Sequence, residues 1–323
     1  MKKFTMTIDL GGTKILSALV DDENNIIMRE KVATNIENGA EGIVKDIIGT
    51  IENLIKNADV GMQDIKGICL GVPGIINPFE GIIYNAPNLQ LKNYNIKSEI
   101  QKVIDLPLFL ENDVNLGALG IKRVEFNNKV NNMLVIFIGT GIGAALILKG
   151  SLYRGSSFFA GEIGHIVLNI QKERSKKNNS TFENFASRTA VVSRIIEAIQ
   201  DGEPSVLKEY VVKGRKIKSR AIAEAVEAGD KLVKEHLYDS SRVIGNMLGN
   251  LQTLLNFDTI VLGGGVIEAA GDFMMPIIKK SFKKSYFDVT GEQTKIVSTK
   301  IGDDAPLFGG WEVINEGLSL NIK

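Results

Sequence analysis

The first apolar residues of the chain stand at every second position. Between Phe4 and Asp9, apolar side chains alternate with threonines, which predicts a half-buried β-strand. Gly11-Gly12 follows, and a second apolar run occupies residues 15–20. P-loop and Rossmann fingerprints need their glycines to open a helix. The pattern here is a glycine-turned hairpin, so it excludes both.

The same arrangement returns in the middle of the chain. Residues 133–138 form an apolar run, Gly139-Thr140-Gly141-Ile142-Gly143 a glycine turn, and residues 144–148 another apolar run. This weak internal repeat predicts two similarly built α/β domains. The polar stretch 125–132 marks the boundary between them. We therefore expect a smaller N-terminal domain, residues 1–124 completed by a C-terminal helix in 305–323, and a larger domain over 125–304.

The remaining elements follow from the spacing of apolar residues. Helical spacing predicts helices within residues 43–55, 190–199, 219–228, 230–256 and 306–318. Short apolar runs predict strands at 26–32, 68–72, 107–110, 259–262 and 294–301. Residues 77–92 are predicted to be rich in loops, and the Lys/Asn/Ser-rich residues 169–181 to form a mobile loop.

One strand end concentrates polar side chains. The apolar run at 107–110 stops at Glu111-Asn112-Asp113, and an amphipathic helix follows. Loops at the carboxyl ends of strands are where α/β proteins bind ligands. The alternative is that Asn112 or Asp113 only caps the helix, since both residue types are good N-caps.

Three glycine-rich turns each come directly after a predicted buried strand. They are Gly11-Gly12, Gly139–Gly143 and Gly263-Gly264-Gly265. Backbone N–H groups in such turns can approach phosphate oxygens closely because no Cβ intervenes. One turn is weak evidence, but three predict nucleotide binding. Asp9, at the first strand end, suits a hydrated Mg²⁺ held directly or through water.

Composition narrows the class of protein. Lysine plus arginine and aspartate plus glutamate both number 38, so the formal net charge is zero. This balance gives no electrostatic sign of nucleic acid or an anionic membrane as a partner. The sequence shows no signal-peptide pattern and no run of transmembrane length. Cys69 is the only cysteine, which excludes a disulfide framework. A cytoplasmic protein is expected.

Taken together, the motifs resemble the ROK family of sugar kinases and sugar-responsive repressors. They are Asp9–Thr13, Glu111–Asp113, Gly139–Gly143, Gly161–His165 and Leu262–Gly265. The resemblance runs from Phe4 to about Trp311. It implies an α/β fold with two ribonuclease-H-like domains of the actin/hexokinase/Hsp70 superfamily and an interdomain cleft.

The resemblance also implies residue roles. Asp113 would take the proton from the 6-hydroxyl of a sugar, and Asn112 would hold neighbouring hydroxyls. The other implied sugar-binding residues are Glu162, His165 and Glu183, with Gly74 and Asn88 near the loops that select the sugar. Those implied for ATP are Gly11, Gly12, Thr13, Thr140 and Gly141 at the phosphates, and Gly264 and Gly265 near the adenosine. Asp9 would assist Mg²⁺. For Lys14, a phosphate contact and a merely exposed position both remain open.

One departure from the family is large. Many ROK proteins carry three cysteines soon after the Gly-His pair, and these form a zinc site with that histidine. Residues 166–182 contain no cysteine. A four-ligand site cannot be assembled from the residues present, so no zinc is expected. The placement of Glu183, which follows that loop, is then less well supported.

The leading function implied is an ATP-dependent kinase acting on the 6-hydroxyl of a hexose, with glucose as the first candidate. An N-acetylmannosamine kinase and another hexose or amino-sugar kinase are alternatives, and a non-catalytic sugar-binding regulator is less favoured. Family repressors carry a winged-helix domain ahead of the first glycine turn, whereas here the first strand starts by Phe4. The expected partners are sugar and ATP, without nucleic acid or membrane, in a homodimer.

Overall fold

The computed structural model describes residues 3–168, 181–287 and 291–320. These residues form two compact units. The first comprises residues 3–129, 152–160 and 303–320 of the described chain, and the second comprises the described residues of 130–151 and 161–302. The contacts group residues 152–160 with the first unit, whereas the boundaries predicted from the sequence put them in the second.

The elements are numbered in chain order. The strands are β1 (Phe4–Leu10), β2 (Lys14–Asp21), β3 (Ile26–Ala33), β4 (Ile65–Val72), β5 (Ile75–Asn77), β6 (Ile82–Ala86), β7 (Leu91–Asn95), β8 (Leu108–Asn112), β9 (Met133–Ile138), β10 (Ile142–Leu148), β11 (Ser151–Tyr153), β12 (Thr259–Gly263) and β13 (Lys295–Ser298). The helices are α1 (Gly39–Asn57), α2 (Ile96–Gln101), α3 (Asp113–Phe126), α4 (Phe182–Ala186), α5 (Arg188–Gln200), α6 (Lys208–Val212), α7 (Ser219–Glu227), α8 (Lys231–Leu255), α9 (Gly265–Phe282) and α10 (Ala305–Leu320).

The sheet of the first unit has the strand order β3-β2-β1-β4-β8. β1, β2 and β3 are antiparallel, which is the predicted glycine-turned hairpin, and β4 and β8 run parallel to β1. The carboxyl ends of β1, β4 and β8 therefore meet at one edge of the sheet. This edge carries Asp9 and the Glu111-Asn112-Asp113 segment.

Helices α3 and α10 cover this sheet, and their backbones approach each other very closely. α10 packs against α3, β1 and β4. A Cβ on Gly120 of α3 would overlap the carbonyl of Ala305, and one on Gly309 of α10 would overlap the carbonyl of Leu116. Glycine at both positions lets the two helix backbones touch. The first residue of α3 is Asp113, so this packing fixes the helix that carries it.

The expectation that residues 77–92 are mainly loop is wrong in part. β5, β6 and β7 form a separate three-stranded antiparallel sheet. Ile76, Ile83 and Leu91 supply one buried apolar residue to each strand. Three-to-five-residue strands with so few apolar positions leave no alternation long enough to detect in the sequence.

In the second unit, β10, β9, β12 and β13 lie side by side in that order in one sheet. β9 and β10 are antiparallel, and β12 and β13 run parallel to β9. Position by position, this is the strand order and direction of β2, β1, β4 and β8 in the first unit. The predicted internal repeat is thus a repeat of the same sheet.

Helices α4–α9 belong to the second unit, and the long predicted helix at 230–256 is α8. Val233, Leu237, Ile244, Leu248 and Leu251 lie on its buried face. Except for Thr181, the predicted mobile loop at 169–181 lies outside the described residues. Within the described ranges, no helix has the length and apolar character needed to cross a bilayer.

Candidate active site

Asn112 holds the strand end to the helix that follows. Its Oδ1 accepts hydrogen bonds from the N–H groups of Val114 (2.9 Å) and Asn115 (3.1 Å), so it is the N-cap of α3. Its Nδ2 donates to the carbonyl of Gly74 (3.2 Å). Asn112 therefore caps α3, and Asp113 is the first helical residue. Two predicted sugar-site residues, Asn112 and Gly74, are brought into direct contact.

Glu111 forms a buried network beneath this turn. Its side chain is 2% exposed, and its Oε2 accepts from Nε of Arg154 at 2.6 Å. Its Oε1 accepts from Nδ2 of Asn115 and from the backbone N–H of Asn112, both at 2.9 Å. The network fixes the backbone directly before Asp113. Sequence reasoning missed Arg154, because its partner lies 43 residues away along the chain.

Asp9 and Asp113 influence each other electrostatically at the shared sheet edge. The pKa of Asp9 is raised to about 7, chiefly because the carboxyl is buried and next because of the negative charge of Asp113. Lys14 lowers this pKa, and Asp303 raises it. An excess of negative charge therefore surrounds Asp9. A cation bound there would relieve it.

The first glycine turn lies beside Asn88. A Cβ on Gly12 would stand 2.6 Å from the carbonyl oxygen of Asn88, so only glycine fits here without a shift. The N–H of Gly11 donates to the carbonyl of Lys14 (2.9 Å). The ammonium of Lys14 forms an ion pair with Asp303. Thr13 is exposed. The phosphate-binding roles of these residues stay predictions.

The raised pKa of Asp9 predicts a pH-dependent stability. An acid with a higher pKa in the folded than in the unfolded state favours folding when it is protonated. Ionising Asp9 should therefore reduce the free energy of unfolding by up to about 1.4 kcal/mol per pH unit between pH 4 and 7. Asp9→Asn has no carboxyl group to ionise. The difference in free energy of unfolding between the variant and the wild type should therefore favour the variant more at pH 8 than at pH 5. Urea unfolding in metal-free buffer measures the gain, with exposed Asp105→Asn as the control. A gain that is equal at both pH values would contradict the prediction.

Glu183 lies against the second glycine turn. Its Oε2 accepts from the N–H of Ile142 at 2.7 Å, and a Cβ on Gly141 would overlap this carboxylate. A Cβ on Gly164 would lie 3.5 Å from the same oxygen. Glu183 therefore lies between the glycine turn and the Gly161–His165 segment.

The predicted sugar ligands of the second unit lie in one neighbourhood. His165 Nε2 and Glu162 Oε2 are 3.7 Å apart, and both side chains are exposed. Partial burial raises the pKa of Glu162, the imidazole of His165 lowers it, and the charge of Glu183 raises it. These three side chains offer hydrogen-bond acceptors, and a donor or acceptor from the imidazole, to a polyhydroxyl ligand.

The third glycine turn meets the second at the same sheet edge. β9 and β12 are parallel neighbours, with Gly263 opposite Phe137. Gly264 has φ +87°, and a Cβ there would lie 2.7 Å from the backbone nitrogen and oxygen of Ile138. A Cβ on Gly265 would lie 3.3 Å from Oγ of Ser219. Ser219, at the start of α7, is a second residue that the sequence gave no reason to select.

No group of three or more histidine, cysteine, aspartate or glutamate side chains suited to a metal ion occurs in the described ranges. Cys69 is buried in β4, and burial raises the pKa of its thiol. The expected lack of zinc stays a prediction that metal analysis can test. One or two protein oxygens and several waters suffice for Mg²⁺, so Asp9 remains a suitable ligand.

The sequence model of the ROK family matches residues 5–316. The chain belongs to the ROK family. The glucokinase of Halalkalibacterium halodurans is 28% identical over 312 residues, covering 96% of this chain and 94% of that protein. The xylose repressor of Caldicellulosiruptor bescii is 28% identical over 305 residues, covering 94% of this chain and 75% of the repressor.

A solved ROK structure shares the whole fold. The ROK family glucokinase of Streptomyces griseus, in complex with glucose and AMPPNP, superposes with a TM-score of 0.79 at 26% identity, over 97% of this chain and 99% of that one. The predicted family and fold class, two ribonuclease-H-like domains, are thereby confirmed. ROK membership includes both kinases and repressors, so the chemistry must be argued from the site.

Proposed function

We propose that this ROK protein is an ATP-dependent sugar kinase that transfers the γ-phosphate to the 6-hydroxyl of a hexose, with glucose as the first candidate. The observation that carries the proposal is the edge of the first sheet, where Asp113 follows the Asn112 cap at the end of β8 and Asp9 stands on β1, a parallel strand separated from β8 by β4. The similarity to a glucokinase with glucose and AMPPNP supports the choice of substrates.

Asp113 is the proposed general base. Its carboxylate stands at the first position of α3, near the positive end of the helix dipole. An ionised carboxylate can accept the 6-hydroxyl proton as the oxygen attacks phosphorus. Asn112, held by the helix and by Gly74, would orient neighbouring hydroxyls. Holding the hydroxyl in line with the γ-phosphate supplies much of the expected acceleration.

Mg²⁺ suits the residues around Asp9. Burial and the charges of Asp113 and Asp303 raise the pKa of Asp9, so a divalent cation would stabilise its ionised form. When bound, the ion would neutralise charge on the phosphates of ATP. This chain would contribute the Asp9 carboxylate, either directly or through a water.

The other proposed ligands divide by unit. In the first unit, Gly11, Gly12 and Thr13 would bind phosphate, and Asn88 would lie near the sugar. In the second unit, the proposed sugar ligands are Glu162, His165 and Glu183. The proposed phosphate ligands are Thr140 and Gly141. Gly264 and Gly265 would lie near the adenosine. The contact of Glu183 with Ile142 and its closeness to Gly164 support a shared role for the two segments.

A coupled ADP-release assay tests the proposal. With ATP and Mg²⁺, we expect turnover with glucose, compared with mannose, fructose, N-acetylglucosamine and N-acetylmannosamine. Preference for N-acetylmannosamine would support the kinase activity but with a different sugar substrate. Absence of ADP release with every sugar, despite a folded protein, would refute the proposed kinase activity.

A sugar-responsive repressor is the second candidate, and the xylose repressor of Caldicellulosiruptor bescii is the observation that favours it. The chain matches 75% of that protein's length. The two aspartates at one edge of the first sheet, Asp113 at the start of α3 and Asp9 on β1, favour phosphoryl transfer instead. Sugar binding without ADP release, together with sugar-dependent DNA binding, would support the repressor.

The proposal also includes a homodimer and a cytoplasmic setting, where ATP is available. Sedimentation equilibrium of the full chain tests the first, with a mass of twice 35.2 kDa expected.

A further inference from the structure

We propose that Arg188 is a nucleotide-binding residue that supplies positive charge to the phosphates of ATP at the Gly139–Gly143 turn. This inference rests on the proposed function and deepens it. No sequence motif indicated a role for Arg188. The inference comes from its position in the second unit.

The backbone of Arg188 is fixed to the turn. Arg188 is the first residue of α5, and its N–H donates to the carbonyl of Gly139 at 2.9 Å. The N-cap Ser187 is buried, and its Oγ accepts from the N–H of Ala190 at 3.2 Å. Thr189 Oγ1 donates to the carbonyl of Thr140 at 2.7 Å. The start of α5 and the turn therefore form one rigid piece of backbone.

The guanidinium of Arg188 lies across the turn. Its Nη2 donates to Oγ1 of Thr140 at 2.7 Å, and its Nη1 donates to Oγ of Ser219 at 3.3 Å. A Cβ on Gly265 would lie 3.3 Å from that same Ser219 oxygen. The side chain thus spans from the proposed phosphate turn towards the proposed adenosine turn. A phosphate chain joining those two positions would pass the guanidinium.

A cation at this turn would offset the negative charge of Glu183. The carboxylate of Glu183 accepts from the N–H of Ile142, so the turn already holds one negative group. A triphosphate that approaches the turn would be repelled by it. None of the ion pairs formed by described residues includes Arg188. Its positive charge is therefore available to a ligand.

The partners of Arg188 in the structure also suit this role. Both are neutral hydroxyls, and a guanidinium has five N–H donors. Phosphate oxygens accept more strongly than hydroxyls, and the planar fork of arginine matches them in pairs. A bound phosphate would therefore add to, or replace, the contacts with Thr140 and Ser219.

Calorimetric titration of the full chain with AMPPNP and Mg²⁺ tests the inference. We expect Arg188→Ala to raise the Kd for AMPPNP about 10- to 100-fold, and Arg188→Lys to raise it less, because the charge remains and the fork is lost. The Kd for glucose should stay within about twofold. Arg220→Ala is the matched control: it removes an exposed arginine one residue from Ser219 and should leave both constants unchanged.

The outcomes separate this inference from the proposed function. If the wild type neither binds AMPPNP nor releases ADP, the proposed function fails, and the inference falls with it. If the wild type does both and Arg188→Ala binds AMPPNP as tightly, the inference alone is overturned. Should Arg188→Ala fail to fold, Arg188→Gln decides, because its amide can still donate to Thr140 while the charge is gone. Weaker AMPPNP binding by a folded Arg188→Gln supports the inference, and wild-type affinity overturns it.

Discussion

Asp113→Asn should lower kcat by roughly 10²- to 10⁴-fold, the usual contribution of a positioned general base. The reason is local. In the wild type, Oδ1 of Asp113 accepts from the N–H of Val114 at 3.0 Å, and an asparagine oxygen can accept the same bond. The fold at the start of α3 should persist because Asn112, not Asp113, is the N-cap. The variant loses the ability to take a proton and little else, so the Kd for glucose should change little.

Steady-state kinetics and glucose titration measure the two quantities separately. Asp105→Asn is the matched control, since it removes an exposed aspartate three residues before β8 and should leave kcat unchanged. A near-normal kcat in Asp113→Asn would return Asp113 to a structural role in the first turn of α3. A large rise in the Kd for glucose would instead make it a substrate ligand.

Most of the fold could be predicted because its signals are local. Each hairpin consists of two apolar runs separated by glycines. The strand that follows the glycines distinguishes the hairpin from a phosphate-binding motif, in which a helix follows, and this difference is visible in the local sequence. The repeat of this unit predicted two similar domains, and the two sheets share one strand order. The strands β5–β7 were missed, because their alternation is too short to be distinguished from loop.

Candidate site residues could be selected from the sequence only where they stand at strand ends or in glycine turns. Asp9, Asp113 and Glu183 meet that condition or follow from the family resemblance. Arg154 and Arg188 do not, because each acts on a partner more than 40 residues away. Glu111 was visible as an acid, but its burial was not. The sequence could not show that Glu111 is buried in a salt bridge with Arg154, whereas Asp113 is only half-buried at the sheet edge.

Within three consecutive residues, Glu111 therefore has a structural role in a pair with Arg154, whereas Asp113 is the proposed general base. Glu111 is 2% exposed and tied to Arg154, Asn115 and the backbone of Asn112. Asp113 is half-buried at the sheet edge. A buried carboxylate that is fully bonded can hold the turn in one conformation, and the backbone of that turn then helps to position the Asp113 carboxylate.

Arg154→Met tests this division, and we expect it to reduce the free energy of unfolding by about 3 kcal/mol. Methionine keeps much of the side-chain volume but leaves the Glu111 carboxylate buried without its cation. The loss of kcat should accompany the loss of stability, because the backbone before Asp113 is no longer held. Urea unfolding and the coupled assay measure the two effects. Arg220→Met, in the exposed pair with Glu224, should cost far less stability, because solvent screens that pair.

The double variant Glu111→Gln with Arg154→Met distinguishes the buried charge from lost packing. A glutamine Oε1 can still accept from Asn115 and from the N–H of Asn112, and it carries no charge to be compensated. The double variant should therefore be more stable than Arg154→Met alone, and it should regain part of kcat. Equal stability of the two would mean that the unpaired charge of Glu111 is not the cause of the lost stability. A wild-type kcat in the folded Arg154→Met variant would show that the network does not position Asp113.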